Sequence, residues 1–287
     1  MDKILFEEIV DMVHQEQFSL VGAAGKPIYG DLSYDPQNSN MPLVIFVHGF
    51  KGFKDWGAHD LVAKYFVQNG YRYLKFNFSH SGVIADNPTD VTDMDTFADN
   101  TFSKEMLDLD VVINHATSYL GVDGVHLIGH SRGGGLSILQ AANNPSVKSL
   151  ITWSSIADFS SLWKKEQEDD WRKTGKIGVY NARTKETMPL NVTLLNDFET
   201  NQEILNILAA AKRINIPWLI VQGDEDVNVP FSTAEQLANA NPASRLVKIA
   251  GANHVYGVTH PYRSDTLPAQ LFEVCEKSLR FLAHNFK

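Results

Sequence analysis

Apolar residues recur along this chain in two spacings that alternate with each other. Pro42–Phe50 (PLVIFVHGF) is a continuous apolar run ending near a glycine, the pattern of a strand buried on both faces. Tyr71–Ser79, Val125–His130, Ser149–Ser155, Pro217–Asp226 and Ser244–Gly251 read as further strands. Between them the spacing turns helical: over His59–Asn69, from Ser103 with Met106, Leu109, Ile113 and Ala116 on one face, from Arg132 to about Asn143, and from Pro268 to about Asn285. Phe18–Tyr34 reads as two antiparallel strands joined through Gly25 and Lys26. This order predicts an α/β fold: a mostly parallel, eight-stranded sheet opened by an antiparallel N-terminal hairpin, with helices on both faces. Ligands of such sheets sit at the carboxyl ends of the strands.

One stretch breaks the alternation. Residues 156–216 hold no clear central strand, and an insertion of that length between two core strands predicts a helical cap over the site. Within it, Thr200 and Glu203 have capping-box spacing ahead of Ile204, Leu208 and Ala211 on one face. No repeat, low-complexity tract or linker divides the chain. The expectation is one domain over 1–287, with a core of 1–155 and 217–287 and a cap of 156–216.

Charge and composition narrow the partners. The 287 residues include 34 acidic and 25 basic side chains, a formal charge of −9 with no basic stripe, which argues against a nucleic-acid partner. The single cysteine, Cys275, excludes an intramolecular disulfide and falls on the apolar face of the C-terminal helical pattern, where a buried thiol is expected. The N-terminal stretch carries Asp2, Glu7, Glu8 and Asp11 and lacks the pattern of a signal peptide. No run approaches the ~18 apolar residues of a membrane span. A cytoplasmic protein without a membrane partner is expected; oligomeric state is not legible.

The chemistry concentrates at strand ends. Gly129-His130-Ser131-Arg132-Gly133 fits G-x-S-x-G between a predicted strand and a predicted helix, the context in which that motif holds a nucleophilic serine in a tight turn. Glycines two residues before and after the serine leave room for the turn. A serine hydroxyl needs a base to take its proton and an acid to orient the base. Asp224, Glu225 and Asp226 follow one strand, and His254 follows the last. No metal-ligand spacing and no phosphate loop is present, so neither a metal nor a cofactor is expected.

With these motifs the chain resembles the α/β-hydrolase superfamily over nearly its whole length. Gly223-Asp224-Glu225-Asp226-Val227-Asn228-Val229-Pro230 is similar to the family's G-x-x-D-x-x-V-P, which favours Asp226 as the acid, and "GANH" resembles its G-A-x-H, which favours His254. The resemblance implies an oxyanion hole made by the backbone N–H groups of Phe50 and Arg132, with His48 pinning the loop. "HGFKGFKDWG", "FNFSHSG" and "GHSRGG" are most similar to single-domain bacterial hydrolases grouped with prolyl-oligopeptidase-like peptidases, dienelactone hydrolases and feruloyl-type esterases. The resemblance implies a serine hydrolase acting on a small-molecule ester, or on an amide as an aminopeptidase or acyl-peptide hydrolase, through Ser131, Asp226 and His254. A catalytically inactive binding protein is the third reading.

Phe53, Trp56, Trp163, Trp171 and Tyr180 are candidate pocket aromatics. Arg132, a cation at a helix N-terminus, calls for a carboxylate, either from Glu166–Asp170 of the cap or from a substrate. His130 is not the expected base, because neighbours on so tight a turn point apart.

Overall fold

The computed structural model describes residues 13–286. The N-terminal stretch discussed above, up to residue 12, lies outside the described residues. The strands are β1 (His14–Val21), β2 (Pro27–Tyr34), β3 (Leu43–Val47), β4 (Arg72–Asn77), β5 (Val125–His130), β6 (Val147–Trp153), β7 (Lys176–Asn181), β8 (Glu186–Asn191), β9 (Trp218–Gly223) and β10 (Arg245–Ile249). The helices are α1 (His59–Gln68), α2 (Met94–Ala98), α3 (Phe102–Ser118), α4 (Arg132–Asn143), α5 (Glu168–Thr174), α6 (Val192–Thr200), α7 (Ile207–Ala211), α8 (Phe231–Ala240) and α9 (Ala269–Asn285).

Eight strands form one sheet in the order β1-β2-β4-β3-β5-β6-β9-β10. β1 and β2 pair antiparallel, β2 pairs antiparallel with β4, and every later pairing is parallel. β3 is buried along its whole length, and its side chains alternate between two cores. Leu43, Ile45 and Val47 pack toward α3 and α4, whereas Val44 and Phe46 pack toward α1 and α9. A continuous apolar run is therefore required, because neither face meets water.

A buried ionic cluster ties the hairpin to the sheet. The Lys75 ammonium on β4 lies 2.7 Å from Asp31 on β2 and 2.8 Å from Asp60, and also contacts Asp55; Lys54 pairs with Asp31 at 2.7 Å. Burial alone would lower the Lys75 pKa, but Asp60, Asp55 and Asp31 raise it above the ordinary lysine value.

The segment 156–216 departs from the helical expectation. It holds α5, α6 and α7, but also an antiparallel hairpin in which Val179 pairs with Met188 and Ile177 with Leu190. The alternation that builds this hairpin is short and embedded in polar residues, and Gly178 and Pro189 hide it. The Thr200–Glu203 capping box is absent as well. Thr200 closes α6, and α7 is opened by Asn206, whose side chain accepts from the Ala209 N–H at 2.9 Å. Asn is among the strongest N-caps, so it sets the boundary and leaves Ile204 exposed in the connecting turn.

Candidate active site

The turn from β5 into α4 places Ser131 at φ 55° and ψ −119°, a left-handed conformation that non-glycine residues avoid. Close approach dictates the flanking glycines. A Cβ on Gly133 would lie 2.2 Å from the Val47 carbonyl oxygen, and one on Gly129 would lie 2.5 Å from that of Gly133. Gly134 and Gly135 serve packing too, but not against the sheet face alone. Their added Cβ atoms would meet Ser155 just beyond β6 and Ile207 of α7, respectively.

His254 follows β10 and Asp226 follows β9, both at carboxyl ends of strands. The His254 Nδ1–H donates to Asp226 Oδ2 at 2.8 Å, leaving Nε2 as the acceptor of the neutral ring. Burial alone would raise the Asp226 pKa. The hydrogen bond and charge of His254 and the amides of Val229 and Asn228 outweigh burial and hold the carboxyl below its ordinary value. Gln222 Nε2 also donates to Asp226 at 3.0 Å. Asp224 instead accepts from the Gly251 N–H and faces Lys248, as a turn residue.

Ser131 and His254 together line two cavities, one toward α1 and α9 and one toward the inserted segment. Among the described residues His254 is hydrogen-bonded to Asp226 and not to Ser131. Serine–base contacts of ligand-free sites are often long and tighten with substrate.

The loop after β3 runs beside Ser131, close enough that a Cβ on Gly49 would lie 3.0 Å from the serine Cβ. Phe50 lines both cavities. Among the described residues its amide donates to no backbone carbonyl, and Arg132 opens a helix, where the first N–H groups lack intrahelical acceptors. His48 donates from Nδ1 to the Gly49 carbonyl at 2.9 Å, and burial drives its pKa down to about 3, so the ring is a neutral loop support.

Arg132 finds its carboxylate on α3, not in the segment Glu166–Asp170. Its Nη2 lies 2.5 Å from Glu105 Oε1, both side chains are buried, and the guanidinium packs 5.0 Å from the centre of the Phe50 ring. Neither cavity includes Arg132 in its wall, so the side chain is a structural ion partner. Spacing could not reveal Glu105, because only tertiary packing brings α3 against α4.

Of the aromatic candidates, Trp56 lines the cavity toward α1 and α9, and the others line neither cavity. Phe53 is fully buried, edge-on to His260. Trp163 stacks on Phe102 and meets Phe198 and Trp171 edge-on, and the Trp171 indole N–H donates to the Leu190 carbonyl. Tyr180 is exposed, and only its carbonyl turns inward, toward Lys51. Phe46, Trp153, Tyr256 and Leu271 supply the apolar wall instead, with His59 and the charged Lys51 and Arg183. His130 Nε2–H donates to the His254 carbonyl at 2.9 Å and so holds the histidine loop in place; burial lowers its pKa to about 3. His260 bridges loops, accepting from the Gly57 N–H and donating to the Thr89 carbonyl. Cys275 is buried, and burial pushes its thiol pKa up. The described residues hold one group of carboxylates close enough to share a metal ion, Asp31, Asp55 and Asp60, and the Lys75 ammonium already sits among them.

The family pattern described as alpha/beta hydrolase fold matches residues 42–178, from the start of β3 through the serine turn and into the inserted segment. The chain has the α/β-hydrolase fold. Solved structures agree across the remainder. Est1E from Butyrivibrio proteoclasticus with ferulic acid bound superposes with a TM-score of 0.68 at 20% identity, covering 93% of this chain and 98% of that one. An esterase from Pyrococcus furiosus, Pf2001, gives 0.62 at 16% identity, covering 98% and 94%. In sequence, this α/β-hydrolase-fold chain is 22% identical over 252 residues to "Putative carbamate hydrolase RutD" of Pseudomonas savastanoi pv. phaseolicola (strain 1448A / Race 6), covering 78% of this chain and 91% of that one.

Proposed function

We propose that this protein is a serine hydrolase of carboxylic esters, working through Ser131, His254 and Asp226. The observation that carries the reading is the strained Ser131 at a strand–helix turn, sharing two cavities with a histidine whose Nδ1 is committed to a buried aspartate. Ser131 Oγ attacks the acyl carbon as its proton passes to His254 Nε2. Asp226 fixes the tautomer and stabilises the imidazolium that forms. The developing oxyanion is held by the Phe50 and Arg132 N–H groups, each such donor contributing about 3 kcal/mol to the transition state. His254 then gives its proton to the departing alcohol, leaving an acyl-serine. Water attacks that ester with the same histidine as base, releasing the acid and restoring Ser131.

The segment 156–216 caps the cavity lined by Ser161, Leu162 and Val179 in this reading, and the chain acts as one domain. The likeness to the Pyrococcus furiosus esterase Pf2001, and to Est1E with its bound ferulic acid, accords with it. The peptidase alternative needs an anionic patch for a free amine. The acidic residues of Glu166–Asp170 form no part of either cavity wall, and Glu168 pairs with Arg172.

Labelling with a fluorophosphonate probe tests the assignment. The wild-type protein should label and Ser131→Ala should not, while Asp226→Asn should lose on the order of 10⁴-fold in ester turnover. Labelling that survives Ser131→Ala overturns the mechanism.

A further inference from the structure

The two cavities beside Ser131 are unlike the surface of the protein around them. The chain carries a net charge of −9, yet neither cavity wall includes an aspartate or glutamate, while both include Lys51. The acid nearest the chemistry, Asp226, lies behind His254 and is consumed by its hydrogen bonds. The second cation of the wall, Arg183, is neutralised by a two-pronged pair with Asp90. Lys51 has no carboxylate partner among the described residues. Its Nζ donates to the Tyr180 carbonyl at 3.2 Å and sits 5.5 Å from the centre of the Phe50 ring. It follows the proposed oxyanion residue directly, in a left-handed conformation at φ 58°.

Partial burial lowers the Lys51 pKa from its ordinary value, the mark of an ammonium short of compensating charge. An ammonium with a single protein hydrogen bond among the described residues, on the wall of two cavities that hold no carboxylate, is complementary to one negative charge.

Resting on the ester-hydrolase reading above, we infer that Lys51 selects substrates that carry a carboxylate a few atoms from the scissile ester. A singly charged carboxylate is favoured over a phosphate dianion because the wall offers one uncompensated positive charge. The carbonyl contact to Tyr180 ties the loop after β3 to the β7–β8 hairpin, and a purely structural Lys51 would do no more than that.

Matched esters separate the two roles. Monoethyl adipate and ethyl hexanoate differ by a carboxylate on the acyl side; 4-acetoxybenzoate and phenyl acetate differ by one on the leaving group. The readout is the ratio of kcat/KM, charged over neutral, within each pair. The wild-type protein should favour the charged member of at least one pair tenfold or more. Lys51→Met should cut that ratio at least tenfold, Lys51→Arg should keep it, and Lys51→Glu should bring it below one. A structural strap lowers turnover of both members together and leaves the ratio where it was, which overturns the inference. A wild-type ratio near one in both pairs overturns it as well. Failure to hydrolyse any of the four esters instead removes the ester reading on which the inference rests.

Discussion

The buried Arg132–Glu105 pair can be broken in a way whose magnitude and pH dependence are both set by the structure. In Arg132→Met the Glu105 carboxylate remains fully buried, with only the Asn100 amide, at 2.8 Å, to hydrogen-bond it. Burial already raises the Glu105 pKa even with the arginine present. Without the arginine the group takes up a proton on folding. At pH 7 that costs about 1.4 kcal/mol for each of the roughly 2.7 units separating pH 7 from the free-glutamate pKa near 4.3, or about 4 kcal/mol. This agrees with the 3–5 kcal/mol typical of removing one partner of a buried pair. At pH 5 the same step costs only about 1 kcal/mol. Arg132→Met/Glu105→Leu leaves no buried charge and should lie within about 1 kcal/mol of wild type at both pH values. Urea unfolding followed by tryptophan fluorescence at pH 7 and pH 5 measures all three proteins. A single-variant penalty below about 1 kcal/mol at pH 7, or one that does not shrink at pH 5, refutes the reasoning. Because the side chain lies outside both cavities, Arg132→Met should also affect charged and neutral esters alike.

Ser131→Gly should be more stable than Ser131→Ala by about 1 kcal/mol, since only glycine occupies the left-handed turn without strain; equal melting temperatures for the two would show that the turn stores none. Stability should also fall on the acid side. Burial lowers the pKa of His48 and His130 to about 3, and of His59, His80 and His126 to about 4. Each is therefore neutral when folded and protonated when unfolded between about pH 6.5 and those values, so its contribution is complete above 6.5 and is lost as pH falls. The raised pKa values of Glu105 and Asp108 act in the opposite sense. His126 donates or accepts one bond, to Ser149 Oγ, away from the serine site. His126→Gln should flatten the acid slope of ΔG by close to one proton, and an unchanged slope in a pH series of urea titrations would rule that histidine out.

Much of this architecture was legible one residue at a time, because strands buried on both faces cannot hide. β3 is an uninterrupted apolar run and β5, β6 and β9 are mostly apolar, and glycines must stand where Val47 and Gly133 crowd the serine turn. The β7–β8 hairpin escapes such a reading because its alternation is only six residues long in each strand and is interrupted by Gly178 and Pro189. The pocket aromatics went the same way. Trp163 and Trp171 have the composition of a binding wall, but whether an aromatic faces a cavity or a core depends on what packs against it: here Phe102 and Phe198 meet Trp163, and Trp163 meets Trp171.

By itself, then, the sequence determined the order and type of the central elements and the three residue types at strand ends, since both follow from local sterics and short-range pattern. The tertiary structure alone decided which carboxylate answers Arg132, which walls surround Ser131, and that Lys51 meets no counter-charge among the described residues. Those are contacts between residues far apart in the chain, and no local spacing encodes which surfaces will meet.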